Sequence, residues 1–422
     1  MKPDFTTVSV IGLGYVGLPT AALVASRNIR VIGVDSNPEV VSTINQGRIH
    51  IVEADLDGLV QKVVGNGNLS ARVDPRPADA FVIAVPTPIR ADKSPDMSYV
   101  IAATRAIAPV LKHGDLVILE STSPIGSTEQ LSDLIGDLRP DLKVPTRAGV
   151  NADISIAYCP ERVLPGRTLS ELVSNDRSIG GITHRCARHG QRFYKTFVRG
   201  TCYRTTARTA ELVKLSENSF RDINIAFANE LSVICDRFGI NVWEVIDLAN
   251  RHPRVDILRP GPGVGGHCVA VDPWFLVHSA PDLARIVRIA REVNDGKVGY
   301  TVGRCVELIE RNSGALVACL GLAFKANVDD LRESPALEVA IDLCRHFGKR
   351  IKIVEPHIDK LPRELAELGA EKLDLETALA SCGVFLLLVD HDDFRMLSAS
   401  ELGSAVVYDT RGVWRPSGHD GK

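Results

Sequence analysis

The first part of the chain alternates short, wholly apolar runs with segments rich in helix-forming residues. β-Branched residues fill positions 8–11, helix formers follow Gly17, and "RVIGVD" is a second apolar run. The alternation continues through "DAFVIAVPTP", "SYVIAATRAIAPVLK", "LVILESTSP" and "NADISIAYCPERVLPG". Apolar strands separated by helices predict a parallel sheet with helices on both faces.

The pattern changes near residue 207, where a long segment without glycine or proline begins and continues to Gly239. Apolar residues recur in it at helical spacing, at Leu212, Leu215, Phe220, Ile223, Phe227, Leu231 and Ile234. This spacing predicts one long, buried helix that separates two domains. Strand–helix alternation returns with "ALVACLGLAFK", "RIKIVEP", "GVFLLLVDH" and "AVVYDTRG". The predicted fold class is α/β: an N-terminal Rossmann domain (1–206), a helical connector (207–300) and a C-terminal Rossmann-like domain (301–422).

Composition narrows the classes of protein. The 422 residues exceed one ordinary core, and 45% apolar with 24% charged residues is typical of globular chains. A net charge of −3 gives no electrostatic footprint for nucleic acid, and the apolar runs are too short to cross a bilayer. Nine scattered cysteines without a CxxC pair indicate a reducing compartment, so we expect a cytoplasmic protein. The segment "THRCARH", with His184, Cys186 and His189, is predicted to be a solvated helix, and no metal is expected.

A glycine motif follows the first predicted strand. Gly12, Gly14 and Gly17 have the G-x-G-x-x-G spacing, and Asp35 ends the second strand. In this context the glycines provide a tight turn, close backbone approach to a pyrophosphate and a helix N-terminus that faces it. Asp35 would accept hydrogen bonds from the adenosine ribose and repel the 2′-phosphate of NADP. The motif therefore predicts NAD as the cofactor.

Hydroxyl and charged residues follow three further strands, where ligands bind in open parallel sheets. They are Thr87, Ser121, Thr122, Glu161 and Arg162, and Thr128 follows in the next helix. Hydroxyl residues and prolines are also common in ordinary turns after a strand, so each of these residues is either part of a ligand site or a turn residue. On the long helix, Lys214, Asn218 and Arg221 share one face, where they form either an oxyanion or phosphate site or a solvated polar stripe.

One cysteine lies in an unusual loop, "GPGVGGHCVAVDPW". Cys268 there is either a small buried residue in a tight turn or a nucleophile in a loop whose glycines let a substrate approach the backbone. A nicotinamide cofactor, a lone thiol and a cationic cluster together favour oxidation through a thioester. Hydride removal from a thiol–aldehyde adduct leaves a thioester, which water hydrolyses to an acid.

Six motifs together resemble one family, and they span essentially the whole chain: "GLGYVGLP", "STSPIGST", "YCPERVLPG", "ENSFRDINIAFANELS", "GPGVGGHCVAVDPWF" and "GLAFKANVDDLRESP". They are similar to the nucleotide-sugar 6-dehydrogenases of the UDP-glucose/GDP-mannose dehydrogenase family. The resemblance implies an enzyme that oxidises a sugar CH2OH to a carboxylate with two NAD. It also implies a UDP-sugar substrate, a UDP-binding C-terminal domain and a homodimer formed by the central helices.

The resemblance also implies roles for individual residues. The expected catalytic residues are the nucleophile Cys268, with Lys214, Asn218, Glu161, Thr122 and Asp272. The expected cofactor contacts are Gly12, Gly14, Tyr15, Val16, Gly17, Asp35, Thr87, Ser121, Thr122, Thr128 and Arg332. The expected substrate contacts are Arg162, Val163, Lys214, Asn218, Arg221, His252, Arg254, Gly265, Phe324, Lys325 and Arg411. Close relatives carry a lysine at position 411, and arginine is not an equivalent donor.

The stretches "ANRHPRV" and "GGHCVAVDPWF" are similar to the branch that oxidises UDP-N-acetyl-D-mannosamine for bacterial surface polysaccharides. UDP-N-acetyl-D-glucosamine 6-dehydrogenases share the His-Cys pair and are the alternative. Two other classes remain: a dehydrogenase of small hydroxy acids, which would leave Cys268 and the last domain without a role, and a non-catalytic NAD sensor. Function depends on the site rather than on the fold, so the fold does not separate them.

Overall fold

The computed structural model of the chain describes residues 5–51, 53–163, 166–266, 268–398 and 400–414. It consists of two compact units, residues 1–217 and 218–422. The border between them falls inside one helix, Ala207–Phe238. The division into three domains at residues 206 and 300 therefore stays a prediction.

The first unit is built on an eight-stranded sheet. Its strands are β1 (Thr7–Ile11), β2 (Arg30–Val34), β3 (Leu69–Arg72), β4 (Ala80–Ile83), β5 (Leu116–Leu119), β6 (Ser155–Tyr158), β7 (Arg177–Gly181) and β8 (Cys202–Thr206). The spatial order is β3-β2-β1-β4-β5-β6-β7-β8. The strands from β3 to β6 run parallel, β7 pairs antiparallel to β6, and β8 pairs parallel to β7.

Successive residues of a central strand enter two different cores. In β4, Val82 belongs to the cluster on one face, whereas Phe81 and Ile83 belong to the cluster on the other. All three side chains are fully buried. A strand covered on both faces has no reason to alternate apolar with polar residues, and this confirms the prediction made from the wholly apolar runs.

The helices of this unit lie between its strands in the chain. They are α1 (Gly17–Ala25), α2 (Pro38–Asn45), α3 (Leu56–Gly65), α4 (Ser98–Ile107), α5 (Ser127–Leu138), α6 (Pro145–Ala148), α7 (Thr168–Ser174) and α8 (His184–Tyr194), and α9 (Ala207–Phe238) continues into the second unit. The predicted helix over "THRCARH" is confirmed. In it, Cys186 is buried, His184 is exposed and His189 stacks on Phe5 at 5.4 Å between ring centroids, so the three side chains diverge.

The long helix α9 has the predicted extent, but its apolar stripe is not buried as expected. Leu215 is fully buried, whereas Phe220, Phe227 and Ile234 are 69%, 53% and 47% exposed. Helical spacing shows which face of a helix is apolar, but it does not show what covers that face. The prediction of burial was wrong for these three positions and for Leu212, which is 41% exposed.

The second unit contains a five-stranded parallel sheet. Its strands are β9 (Val317–Leu320), β10 (Ile351–Val354), β11 (Glu371–Lys372), β12 (Val384–Leu387) and β13 (Val406–Asp409), in the order β11-β10-β9-β12-β13. Its further helices are α10 (Val242–Ala249), α11 (Asp272–Ser279), α12 (Arg285–Arg311), α13 (Pro335–Phe347), α14 (Arg363–Glu367), α15 (Leu375–Ser381) and α16 (Asp392–Arg395). The order repeats that of β3-β2-β1-β4-β5, so the prediction of a second Rossmann-like fold is confirmed. Within the described residues, no helix is both long and apolar enough to span a membrane.

Candidate active site

The three fingerprint glycines lack a side chain for three different reasons. Gly12 has φ +90°, and a Cβ there would lie 2.6 Å from the Ala84 carbonyl oxygen. A Cβ on Gly17 would lie 1.8 Å from the Gly12 carbonyl oxygen. A Cβ on Gly14 would meet no atom within 4 Å. Gly12 and Gly17 are therefore required by the fold. Gly14 leaves space beside the backbone at the start of α1, where a pyrophosphate fits.

The carboxylate of Asp35 is fixed at the end of β2. Its Oδ2 accepts a hydrogen bond from Leu13 N at 3.0 Å, and its Oδ1 accepts one from Asn37 N at 2.9 Å. The side chain is partly exposed, as are Tyr15 and Val16. The carboxylate is thus held beside the glycine turn and accessible to a ribose. These residues fit NAD, the cofactor that their sequence predicts.

The hydroxyl residues follow neighbouring strands of the first sheet. Thr87 comes after β4, Ser121 and Thr122 come directly after β5, and Glu161 comes after β6. Parallel neighbours bring their carboxyl ends to one edge, so the predicted placement is confirmed. The Ser121 hydroxyl donates to the Val85 carbonyl at 2.7 Å, so the two loops are joined.

Thr128 lies inside the first unit, and its hydrogen bonds go to a residue that the sequence analysis did not identify. Its N and Oγ1 donate to Glu211 Oε1 at 2.8 and 2.6 Å, and Gly126 N donates to Glu211 Oε2 at 2.6 Å. Burial raises the pKa of Glu211, and these hydrogen bonds oppose the rise. The Glu211 carboxylate therefore caps α5 from α9. The signal available in the sequence was that Glu211 is a charged residue one turn before Lys214. Contact of Thr128 with the cofactor stays a prediction.

Lys214 and Glu161 are joined within the first unit. The buried Lys214 extends its Nζ to the main-chain oxygen of Glu161 at 2.8 Å, and the Glu161 carboxylate accepts a hydrogen bond from Val163 N. Arg162 pairs with Glu217 at 2.5 Å and donates to the Asp176 carbonyl. The Lys214 amine and the Arg162 guanidinium thus both join the loop after β6 to α9, and the roles expected for these residues stay predictions.

A second carboxylate, buried at the end of β5, escaped the sequence analysis. Glu120 accepts a hydrogen bond from Tyr194 Oη at 3.0 Å, and Arg177 Nη1 lies 3.9 Å from it. Burial raises the pKa of Glu120 to about 7, although Arg177 and Tyr194 act against the rise. The residue directly precedes Ser121 and Thr122, so it anchors the end of the strand that carries them. A glutamate ending the apolar run "LVILE" was its signal.

The candidate nucleophile lies in the turn that leads into α11. Asp272 N donates to the Cys268 carbonyl at 2.8 Å, and Asn218 Nδ2 donates to the Asp272 carboxylate. Cys268 is partly exposed, whereas the other eight cysteines are buried. The accessible thiol favours the nucleophile over the buried turn residue. His267, which precedes it, lies outside the described residues.

The glycines before Cys268 are packed against other protein atoms. A Cβ on Gly265 would lie 2.6 Å from the Glu333 carbonyl oxygen, and one on Gly266 would lie 2.9 Å from the Phe324 ring. Gly263 is similarly close to Pro335. Protein atoms therefore fill the space beside these glycines. These glycines therefore allow the loop to pack against its own unit, and substrate contact by Gly265 stays a prediction.

The remaining predicted substrate residues differ in exposure. Arg221, His252 and Arg254 are exposed, and Phe324 and Lys325 are partly exposed. Arg411 Nε donates to Asp390 at 2.9 Å. Arg332, the expected cofactor contact of the second unit, forms an ion pair with Asp330 at 2.6 Å. The roles of all these residues stay predictions.

The chain matches three domains of the UDP-glucose/GDP-mannose dehydrogenase family: the NAD binding domain over residues 6–198, the central domain over 208–296 and the UDP binding domain over 318–416. It is 59% identical over 411 residues to an NDP-N-acetyl-D-galactosaminuronic acid dehydrogenase of Ralstonia nicotianae, and the match covers 97% of each chain. It is 55% identical over 421 residues to a UDP-N-acetyl-D-mannosamine dehydrogenase of Yersinia pestis, covering 98% of this chain and 100% of that one. A solved structure of the UDP-N-acetyl-mannosamine dehydrogenase Cap5O from S. aureus is similar, with a TM-score of 0.85 and 40% identity, and the match covers 97% of this chain and 96% of that one.

Proposed function

Because this chain belongs to the UDP-glucose/GDP-mannose dehydrogenase family and is an NAD-dependent nucleotide-sugar dehydrogenase, we propose that it oxidises UDP-N-acetyl-D-mannosamine to the uronate. The observation that carries the mechanism is the partial exposure of Cys268, in the turn whose carbonyl accepts a hydrogen bond from Asp272 N. The likeness to UDP-N-acetyl-D-mannosamine dehydrogenases over nearly the whole chain supports this substrate. The product would serve a bacterial surface polysaccharide.

Two other 2-acetamido sugars are the competing substrates. The 59% identity to an NDP-N-acetyl-D-galactosaminuronic acid dehydrogenase favours UDP-N-acetyl-D-galactosamine as second candidate. The His-Cys pair of the sequence keeps UDP-N-acetyl-D-glucosamine as the third. All three have the same nucleotide, the same acetamido group and the same C6 hydroxyl, so the chemistry below applies to each of them.

The first oxidation converts the C6 alcohol to an aldehyde. NAD, which Gly12, Gly14 and Asp35 would hold, would supply the hydride acceptor for both oxidations. The uncharged amine of Lys214 takes the proton of the C6 hydroxyl, and the amide of Asn218 donates a hydrogen bond to the C6 oxygen. The two residues are four positions apart on α9, so they share one face of that helix.

The second oxidation passes through a covalent adduct on Cys268. The thiolate adds to the aldehyde carbon, the carbonyl oxygen takes a proton, and a thiohemiacetal forms. Loss of a second hydride from C6 and of the hydroxyl proton leaves a thioester. Water then attacks the thioester carbon, the C–S bond breaks, and the products are the carboxylate and the regenerated thiol. Glu161, Thr122 and Asp272 bind and deprotonate this water.

The remaining contacts orient the nucleotide sugar. Arg162, Arg221, Arg254 and Arg411 offer guanidinium groups to the diphosphate, which planar donors bind in a bidentate manner. Val163, His252, Gly265, Phe324 and Lys325 complete the proposed substrate set, and Thr87, Ser121, Thr128 and Arg332 complete the cofactor set.

The protein acts as a homodimer in this proposal. The exposed residues Phe220, Phe227 and Ile234 are spaced seven apart on α9 and form one apolar stripe. Large exposed apolar patches mark interaction surfaces, and a stripe of this spacing suits packing of one helix on the same helix of a second copy. Ile286 and Ile289 on α12 are also exposed.

The test is NADH production with UDP-ManNAc, UDP-GalNAc, UDP-GlcNAc and UDP-Glc. We expect the highest kcat/KM for UDP-ManNAc and two NADH for each sugar. Faster turnover of another sugar would overturn the substrate but not the mechanism. The mechanism is tested by Cys268→Ser, with Cys382→Ser as the matched control at a buried cysteine. Turnover should fall by about three orders of magnitude or more in the first variant alone, and two NADH per sugar at an unchanged rate would refute the thioester.

A further inference from the structure

Glu355 occupies in the second sheet the place that Asp35 occupies in the first. Each acid follows the second strand of its sheet and accepts a hydrogen bond from the turn after the first strand. Glu355 Oε2 accepts from Leu322 N at 2.7 Å and from Ala323 N at 3.1 Å. The two acids differ in accessibility: Asp35 is partly exposed, but Glu355 is 1% exposed. Glu355 is therefore not available to a ribose in the way that Asp35 is.

The group that covers Glu355 is the fully buried His391. Its Nε2 lies 3.1 Å from Glu355 Oε2, and its Nδ1 accepts a hydrogen bond from Asn327 N at 2.9 Å. Because Nδ1 accepts from a backbone N–H, the proton lies on Nε2 and points to the carboxylate. Burial raises the pKa of Glu355, but hydrogen bonds from His391 and Leu322 N outweigh it, so the pKa is lowered overall. An ionised carboxylate thus faces a neutral imidazole of defined tautomer.

The two side chains hold both ends of one loop. Glu355 binds the loop at Leu322 and Ala323, and His391 binds it at Asn327. Asn327 has φ +61°, a left-handed conformation that side chains other than glycine seldom adopt, and its Oδ1 accepts a hydrogen bond from Asp392 N at 3.0 Å. The conformation of this loop therefore depends on the Glu355–His391 pair and on the residue that follows His391.

The loop carries side chains that contact the segment before Cys268. The ring of Phe324 would lie 2.9 Å from a Cβ on Gly266, and its Cβ would lie 3.0 Å from one on Gly265. Phe324 N is in turn held by the Asp330 carbonyl at 3.0 Å. Phe324 thus packs against the glycine turn, so a displacement of Phe324 would change the packing of that turn.

We propose that Glu355 and His391 are a buried pair of positioning residues that sets the loop Leu322–Asn327 for binding of the nucleotide sugar. The pair places Phe324 and Lys325, and through Phe324 it holds the turn that leads to Cys268. The binding part rests on the proposed function, in which Phe324 and Lys325 contact the substrate. Neither Glu355 nor His391 itself touches the reacting atoms in this proposal.

The test uses His391→Phe, which keeps a ring but removes both nitrogens, and His391→Asn, whose amide oxygen can replace Nδ1 as acceptor. His346→Phe is the control, because His346 is exposed on α13 and its ring nitrogen bonds to the Asp342 main-chain oxygen of the same helix. For His391→Phe we expect the KM for the UDP-sugar to rise about tenfold, typical of one lost hydrogen bond to a charged group. The KM for NAD should change less than twofold, and His391→Asn should restore most of the wild-type KM for the UDP-sugar.

A second measurement does not depend on turnover. Deuterium uptake of peptides over 322–327 and 261–266 should rise at least threefold in His391→Phe and stay unchanged in His346→Phe. If His391→Phe does not fold, Asn327→Gly decides, because it removes only the Asp392 contact at an exposed position and should raise the same uptake more weakly. Unchanged uptake in a folded variant, or an unchanged KM, would overturn the proposal. If the wild type oxidises no UDP-sugar but uptake over 322–327 rises as expected, the proposed function fails and the positioning of the loop stands.

Discussion

Gly14 and Gly17 are three residues apart in one motif, and the structure predicts opposite consequences for the same substitution. A Cβ at Gly14 meets no atom within 4 Å, and the residue has no positive φ that an alanine would strain. Gly14→Ala should therefore fold normally and gain up to about 1 kcal/mol from the less flexible unfolded chain. A Cβ at Gly17 would lie 1.8 Å from the Gly12 carbonyl oxygen, so the turn or α1 must move in Gly17→Ala.

The magnitudes follow from these distances. Overpacking of this kind costs about 1–3 kcal/mol or more, which corresponds to a fall in Tm of about 2–4 °C for each kcal/mol in a unit of this size. In Gly14→Ala the new methyl group displaces the NAD pyrophosphate instead. Hydrogen bonds to charged groups contribute about 1.5–3 kcal/mol, so NAD should bind about 10- to 100-fold more weakly.

Two assays on both variants decide the matter: thermal unfolding without cofactor, and NAD affinity by calorimetry. We expect the Tm of Gly14→Ala to equal or slightly exceed that of the wild type while its NAD affinity falls, and the Tm of Gly17→Ala to fall. If Gly14→Ala binds NAD with unchanged affinity, the pyrophosphate does not approach this backbone. If Gly17→Ala is as stable as the wild type, the close contact with Gly12 does not limit the fold.

Three shorter predictions concern charge and assembly. Asp35→Asn should narrow the preference for NAD over NADP by about tenfold or more, because a unit charge 4 Å from a phosphate contributes about 1–4 kcal/mol. The control is Asp57→Asn at an exposed position on α3. The same ratio of kcat/KM for NAD to kcat/KM for NADP in the wild type and both variants would contradict the prediction. The pKa of Glu120 is raised from 4.5 to about 7, so the stability that its protonated form contributes is present at low pH and lost as pH rises through that range. Urea unfolding should then show Glu120→Gln gaining on the wild type between pH 5 and pH 8, and parallel stability profiles would refute the shift. Replacing Phe227 and Ile234 by glutamate should convert a dimer to a monomer in light scattering, and a wild type that is monomeric at micromolar concentration would refute the dimer.

The candidate site shows how far local patterns reach. The glycine spacing, Asp35 and the residues after β4, β5 and β6 were predicted correctly in position, because a strand end is set by a few neighbouring residues and parallel strands align their ends. Glu211 was missed because its partners Gly126 and Thr128 are more than eighty positions away. Glu355 and His391 were missed because they lie 36 positions apart and the loop that they bind precedes both of them. In the sequence, each is an ordinary polar residue after an apolar run. Their contact exists only because the folded sheet brings the two strand ends to one edge.

The sequence by itself determined the order of strands and helices, the extent of α9 and the two Rossmann-like folds, since these depend on residue spacing along the chain. Only the tertiary structure decided what surrounds each element. It showed that Gly265 and Gly266 pack against Phe324, and that Phe220 and Phe227 of the apolar stripe are exposed. The physical reason is that spacing reports which face of an element is apolar or bare, whereas the atoms that meet this face come from distant parts of the chain.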